Sequence, residues 1–339
     1  MGKKHKQPAE FGLAAKADPE LPLRILVSWT PGTPSATGSD AGASHKAARA
    51  EAIDYAAWLG RTTPIHLQVL STFIQPWSTT SLSKLGGKYK KWFRAEAAAC
   101  AVEVEQRLAE SGIDKQQCAK EFSLLHDGPN QPQLLTDAAA AFRADLILLS
   151  PEQSAPKHRL LAGTTADALL HYSPVALGLT PRGLKFGKNG IKRVNFAFTE
   201  EHQQGDTAAL RAAAAFAVRL GVPLRIIAFS PSGLVQAPLH NKLSVAQQLT
   251  SDWREHSLAA MDRARDLVAD EFPQIDVSAE IGIGTGWRGA VDAIKWKKSD
   301  IMVLGSSPMS SLARVFLGST ATEILPHLPV PVLVHPAAQ

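Results

Sequence analysis

The chain has 339 residues, 45% of them hydrophobic and 20% charged, with a formal net charge of +5 and two cysteines. That length accommodates two compact domains of about 100–200 residues each. The two cysteines, Cys100 and Cys118, exclude a disulfide-stapled scaffold and match no metal-ligand spacing, and no apolar run approaches the roughly 20 residues that cross a bilayer. Part of the excess positive charge gathers in Lys3-Lys4-His5-Lys6 and in Lys88, Lys90 and Lys91. A basic surface attracts nucleotides and nucleic acid at long range. Without a nucleic-acid motif, however, these charges read as solvated, so neither a specific nucleic-acid partner nor membrane insertion is expected.

Residues 1–22 are polar and basic with no apolar segment after the charges, so they read as a disordered lead-in rather than a secretory signal. The reduced cysteines and the missing signal point to the cytoplasm. Arg24 to Ser28 is the first strand, and Pro31 to His45, rich in Gly, Ser, Thr and Pro, is a loop. Lys46 to Leu59 is a helix with Ala48, Ala52, Ile53, Ala56 and Leu59 on one face. Ile65 to Ser71 is the second strand, Ile74 to Tyr89 a connection, and Trp92 to Ala109 a long helix stopped by Gly112. Glu121 to Leu125, Gln133 to Phe142 and Leu146 to Leu149 follow as strand, helix and strand. Cys100 falls in the long helix and reads as a small core residue.

Pro181 to Lys192 alternates Gly and Lys and reads as a linker. Beyond it the pattern restarts: Arg193 to Phe198 as strand, Thr207 to Leu220 as helix, Leu224 to Phe229 and Val277 to Ile281 as strands. Trp253 aligns with Trp92, and that position reads as core or domain seam. Gly282 to Gly289 is Gly-rich but lacks a dinucleotide-binding context, so it reads as a turn, with Trp287 and Arg288 near a crevice mouth.

The last stretch, Ile301 to Val334, reads as strand, Ser/Gly loop, helix and strand, with Thr320 and Glu323 spaced as a capping box. A strand leading through Gly and Ser into a helix N-terminus leaves N–H groups unpaired at the positive end of the helix dipole, which suits phosphate. Leu146 to Leu179 aligns with this stretch without a gap: Asp145 meets Asp300, Arg159 meets Arg314, and Gly163-Thr164-Thr165 meets Gly318-Ser319-Thr320. The repeat unit is a whole domain. The first copy is worn, with Ser150 and Gln153 at the glycine positions and Glu152 adding a negative charge where phosphate would sit. The alternation of strands and helices implies a doubly wound α/β fold with a crevice beyond the carboxyl ends of the strands.

This loop resembles the nucleotide-binding loop of the universal stress protein family, whose pattern is G-x2-G-x9-G-[S/T]. Gly305 stands at the first Gly, Pro308 at the second, and Gly318-Ser319 at the closing pair. The resemblance implies two tandem domains, 23–180 and 193–339, joined by 181–192. Each would be a five-stranded parallel sheet of order 3-2-1-4-5, Rossmann-like and similar to the adenine nucleotide alpha hydrolases. It implies an adenine nucleotide in the second domain, ATP accompanied by Mg, meeting Ala197, Thr199, Ala228, Gly305, Ser306, Pro308, Arg314, Gly318, Ser319 and Thr320. Thr30 and Thr199 stand where the family places an Asp against the base, and Pro308 removes an N–H from the phosphate loop. Members commonly dimerise through their last strand. Here Val175 to Leu179 and Val330 to Val334 are expected to meet within one chain as a pseudo-dimer, and a homodimer is a further expectation.

No zinc-protease, serine-hydrolase or P-loop motif is present, and Asp145 and Asp300 stand at the end opposite the crevice. The sequence therefore points to a non-enzymatic, cytoplasmic stress-response binding module. Two alternatives stay open: a protein that binds no nucleotide and acts by association alone, and a nucleotide-hydrolysing enzyme on a related fold.

Overall fold

The strands form where apolar residues run without alternation, as buried parallel strands require. β1 (Leu23–Trp29) is LRILVSW and is buried along almost its whole length. The structure, a computed structural model, describes residues 20–30, 41–75, 86–199, 207–232, 243–305 and 319–336. The first half continues with α1 (Ala41–Gly60), β2 (Ile65–Ile74), α2 (Gly86–Glu110), β3 (Cys118–Gly128), α3 (Gln131–Phe142), β4 (Leu146–Leu148), α4 (Thr164–Tyr172) and β5 (Ala176–Leu179). The second half runs β6 (Arg193–Ala197), α5 (Ala208–Leu220), β7 (Leu224–Ser232), α6 (Leu243–Glu271), β8 (Val277–Thr285), α7 (Gly286–Asp292), β9 (Asp300–Gly305), α8 (Ser319–Ile324) and β10 (Val332–His335).

The ten strands form one mixed sheet of order β3-β2-β1-β4-β5-β10-β9-β6-β7-β8. Two separate parallel sheets would each leave an edge strand with unpaired backbone groups. Here those edges meet: β10 pairs antiparallel with β5, Val332 opposite Leu179, Leu333 opposite Gly178 and Val334 opposite Leu177. The other strand pairs are parallel. One face of the sheet is covered by α1, α2, α5 and α6 and the other by α3, α4, α7 and α8, and each core layer draws residues from both halves.

The seam is tight. A Cβ on Gly178 would collide with Leu148 Cδ2 and stand 3.2 Å from Tyr55 Cε1. Tyr55 is fully buried and its Oη donates to the Val332 carbonyl at 3.2 Å. Arg219 of α5 is buried and reaches back to the first half, donating through Nε to Thr63 Oγ1 at 3.0 Å and through Nη2 to the Leu21 carbonyl. The 181–192 stretch also packs: Phe186 stacks 5.7 Å from the Tyr55 ring, and Ile191 is buried with its N–H donating to Thr62 Oγ1 at 2.8 Å.

Several boundaries differ from the sequence reading. α1 begins at Ala41, inside the Gly/Ser-rich stretch read as loop, and α2 begins at Gly86 rather than at Trp92. Gly282 to Gly289 is no turn: Gly282 to Thr285 extend β8, and Gly286, at φ +62°, starts α7. A Cβ on Gly284 would run into the Gly289 carbonyl, so these glycines let α7 fold back against the strand backbone. α8 begins at Ser319, which puts Thr320 inside the helix and not at its cap. Trp92 is 42% exposed, against its reading as core or seam, while Trp253 lies outside the residues whose side chains are described.

Candidate functional site

In the first half, β1 lies between β2 and β4, with Val27 opposite both Val69 and Leu148. Chain connections leave in opposite directions at this point, which opens a crevice beyond the strand ends. A cavity of about 280 Å³ fills it. Ser28 and Thr30 enter it from the end of β1, Ser150 and Glu152 from the loop after β4, and Gly163 and Thr165 from the start of α4. Gln131 comes from the first turn of α3, whose cap is Asn130 accepting from the Gln133 N–H at 3.3 Å. Thr165 Oγ1 donates to Gln131 Oε1 at 2.9 Å and so ties the two helix N-termini together. Sequence reasoning missed Gln131 by starting the helix at Gln133. Asn130 followed by Pro132 was the available signal, a cap residue with proline in the first turn.

Gly163 caps α4 without a side chain of its own. Glu152 supplies the missing anion: a Cβ on Gly163 would collide with Glu152 Oε2, so the carboxylate lies against the start of the helix. The other oxygen, Oε1, accepts from the Ser154 N–H and Oγ, both at 3.4 Å. A carboxylate is favourable beside a helix N-terminus. A phosphate arriving beside it meets like charge, about 4 kcal/mol per pair of unit charges at ~4 Å near a protein surface. Arg159 does not supply the balancing cation within this cavity's lining. Its charge is felt at His327 of the second half, which burial first and then Arg159 hold below the usual histidine value.

The second half repeats the placement of strands. β6 lies between β7 and β9, with Phe196 opposite both Ile226 and Val303. Ala197 ends β6 buried, Ala228 is buried in β7, and Thr199 follows β6 at 6% exposure. Gly305 ends β9 opposite His335, whose imidazole burial pushes down to about 4 and so keeps neutral. Ser306, Pro308, Arg314 and Gly318 lie outside the described residues, as does the side chain of Ser319; Thr320 is half-buried in α8.

Asp145 and Asp300 are buried at the opposite end of the sheet and are structural. Asp145 Oδ2 accepts from the Arg24 N–H at 2.8 Å, and Asp300 Oδ2 pairs with Arg193 Nη2 at 2.6 Å. Arg288, read near the crevice mouth, forms an ion pair with Asp292 at 3.5 Å, while Trp287 packs against the core layer of α7. Among the described residues, no group of three or more His, Cys, Asp or Glu could hold a metal ion, and no helix is long and apolar enough to cross a membrane.

Comparison with known proteins decides the family. Residues 190–336 match the model of the universal stress protein family. A universal stress protein of Mycobacterium tuberculosis is 32% identical over 292 residues, covering 84% of this chain and 94% of the relative. The chain belongs to the universal stress protein family. A Mycobacterium bovis member matches to the same extent. Among solved structures, a universal stress protein from Archaeoglobus fulgidus superposes with a TM-score of 0.57 at 17% identity, over 91% of this chain and 97% of its own. A universal stress protein from Pseudomonas aeruginosa gives a TM-score of 0.50 at 16% identity over 95% of each chain. At those identities the structural likeness speaks for the family's α/β fold alone.

Proposed function

We propose that this chain is a tandem stress-response protein of the family, a binding module without catalytic machinery, whose second domain takes an adenine nucleotide and whose first does not. The domains are 23–180 and 193–339, joined through the antiparallel β5–β10 pairing as an intramolecular counterpart of a dimer. ATP, with Mg, would be held between the ends of β6 and β9 and the start of α8, with Gly305, Gly318 and Ser319 contributing the phosphate loop.

The observation that carries the asymmetry is Glu152. Its carboxylate lies against the Gly163 start of α4, where a phosphate would have to sit, and this argues against an anion in the first crevice. The corresponding position in the second loop is Ser307, which is uncharged. The rival reading, association without nucleotide, draws on Pro308 and on the uncharged Thr199 at the base position. Mass spectrometry of small molecules retained by freshly purified protein separates the two: retained adenine nucleotide supports binding, and its absence together with a flat ATP titration supports association alone.

A further inference from the structure

We propose that the first turns of α2, with the end of β2, form a docking surface for single-stranded nucleic acid. Between Gly86 and Ala95 the chain carries Lys88, Lys90, Lys91 and Arg94 and no acid, and all four cations are exposed. None of the four has an ion-pair partner among the described residues, whereas further along the same helix Arg107 pairs with Glu110, and Glu105 with Lys115. Lys88 stands in the first turn, where the helix dipole disfavours a cation, and Lys90, Lys91 and Arg94 follow within two further turns, so a polyanion relieves their mutual repulsion. In sequence these lysines read as solvated charge; the exposure of Trp92 and its contact with Phe73 are visible only in three dimensions.

That half is centred on Trp92, which is 42% exposed. The ring is held edge-on to Phe73 at 5.1 Å and tilted to Tyr89 at 5.6 Å, with Phe93 tilted against Tyr89 at 5.8 Å. Tyr89 is itself pinned: its Oη donates to Asp127 Oδ2 at 2.6 Å and accepts from Gln75 Nε2 at 2.8 Å. Asp127 is therefore engaged, and Glu96 is the next acid along the helix, one turn beyond Trp92. Trp92 is a preformed platform beside exposed cations, the combination by which bases stack while phosphates are neutralised.

A duplex keeps its bases inside and offers Trp92 nothing to stack on. An acidic membrane would need an apolar face to insert, and the exposed large apolar residues beside the cations are Trp92 and Ile74, at 42% and 38% exposure. Single-stranded nucleic acid is the occupant that uses both halves. The surface stands on β2 and α2 of the first half and does not depend on the nucleotide site proposed for the second domain.

The test is fluorescence anisotropy of a labelled oligothymidylate of about 16 nucleotides against the full chain over a salt series. Binding that weakens with salt is expected. Converting Lys88, Lys90 and Lys91 to Gln should weaken it at least tenfold and flatten the salt slope by about 2, at ~0.7 per phosphate contact on a single strand. Trp92→Ala should weaken it by roughly fivefold to a hundredfold without changing the slope. The lysines are exposed, so circular dichroism should show an unchanged fold. Gly318→Val should leave this binding intact. The proposal is overturned if the oligonucleotide does not bind, if binding ignores these variants, if the matching duplex binds equally well, or if vesicles rich in phosphatidylserine bind through these residues and the oligonucleotide does not.

Discussion

Replacing Glu51 with glutamine should stabilise the protein at pH 8 and change little at pH 5. Glu51 sits in α1 at 4% exposure, and its carboxylate accepts from the Gly183 N–H of the stretch between the two halves. The second oxygen, Oε2, is buried with no hydrogen-bond partner. Burial pushes this carboxyl up from 4.5 to about 7; the Gly183 N–H and the charge of Arg182 oppose the rise and Asp54 adds to it. Between those two values the folded protein binds more proton than the unfolded chain, so stability falls as pH rises through this window. At about 1.36 kcal/mol per unit the ionised group costs on the order of 3 kcal/mol above pH 7. Glutamine removes the charge, keeps an acceptor for Gly183, and buries an amide donor that costs part of the gain. The net is roughly 1–3 kcal/mol in favour of the variant at pH 8. The parent's own pH curve hides the effect, because His335, pushed down from 6.5 to about 4 by burial, makes stability rise with pH over nearly the same window. The quantity to measure is therefore the difference between variant and parent in urea unfolding at pH 5, 6, 7 and 8. A difference that stays constant across this series, or a variant less stable than the parent at pH 8, refutes the reasoning.

Three further outcomes concern the seam and the first crevice. Gly178→Val places a Cβ against Leu148 and Tyr55 and should cost about 1–3 kcal/mol or more in urea unfolding, since neither neighbour can leave the core. Tyr55→Phe removes only the bond to the Val332 carbonyl and should cost about 1 kcal/mol in the same assay. Glu152→Gln should let the first crevice accept phosphate, seen by calorimetry as a weak second ATP-binding event that the parent lacks; no new event would mean that the carboxylate is not what closes the crevice.

The sequence announces the strands that are buried on both faces. Leu146 to Leu149 and Ile301 to Leu304 are unbroken apolar runs and appear as β4 and β9. The repeated Asp145 and Asp300 mark the end of the sheet away from the crevice, where both are found paired with arginine-bearing strands. What stayed hidden depends on contacts between distant residues. Gly178 looks unremarkable in sequence, yet its missing side chain is what admits Tyr55 and Leu148 to the seam. Gly284 and Gly289 mimic a turn motif, but the pair exists to let a helix lie on a strand. Glu152 could be read as a charge in the wrong place, and its approach to Gly163 became visible only when the loop was folded. Trp92 reads in sequence as core or domain seam, whereas in the fold Phe73, Tyr89 and Phe93 hold it at the surface.

The central claim, nucleotide in the second domain and none in the first, meets its most direct test in isothermal calorimetry of ATP with Mg against the folded parent and Gly318→Val. In the proposed phosphate loop, a Cβ at Gly318 would obstruct close approach of phosphate to the backbone. The account predicts one binding event in the parent and its loss in Gly318→Val. A parent that binds no ATP, or a folded Gly318→Val protein that binds it like the parent, would contradict it.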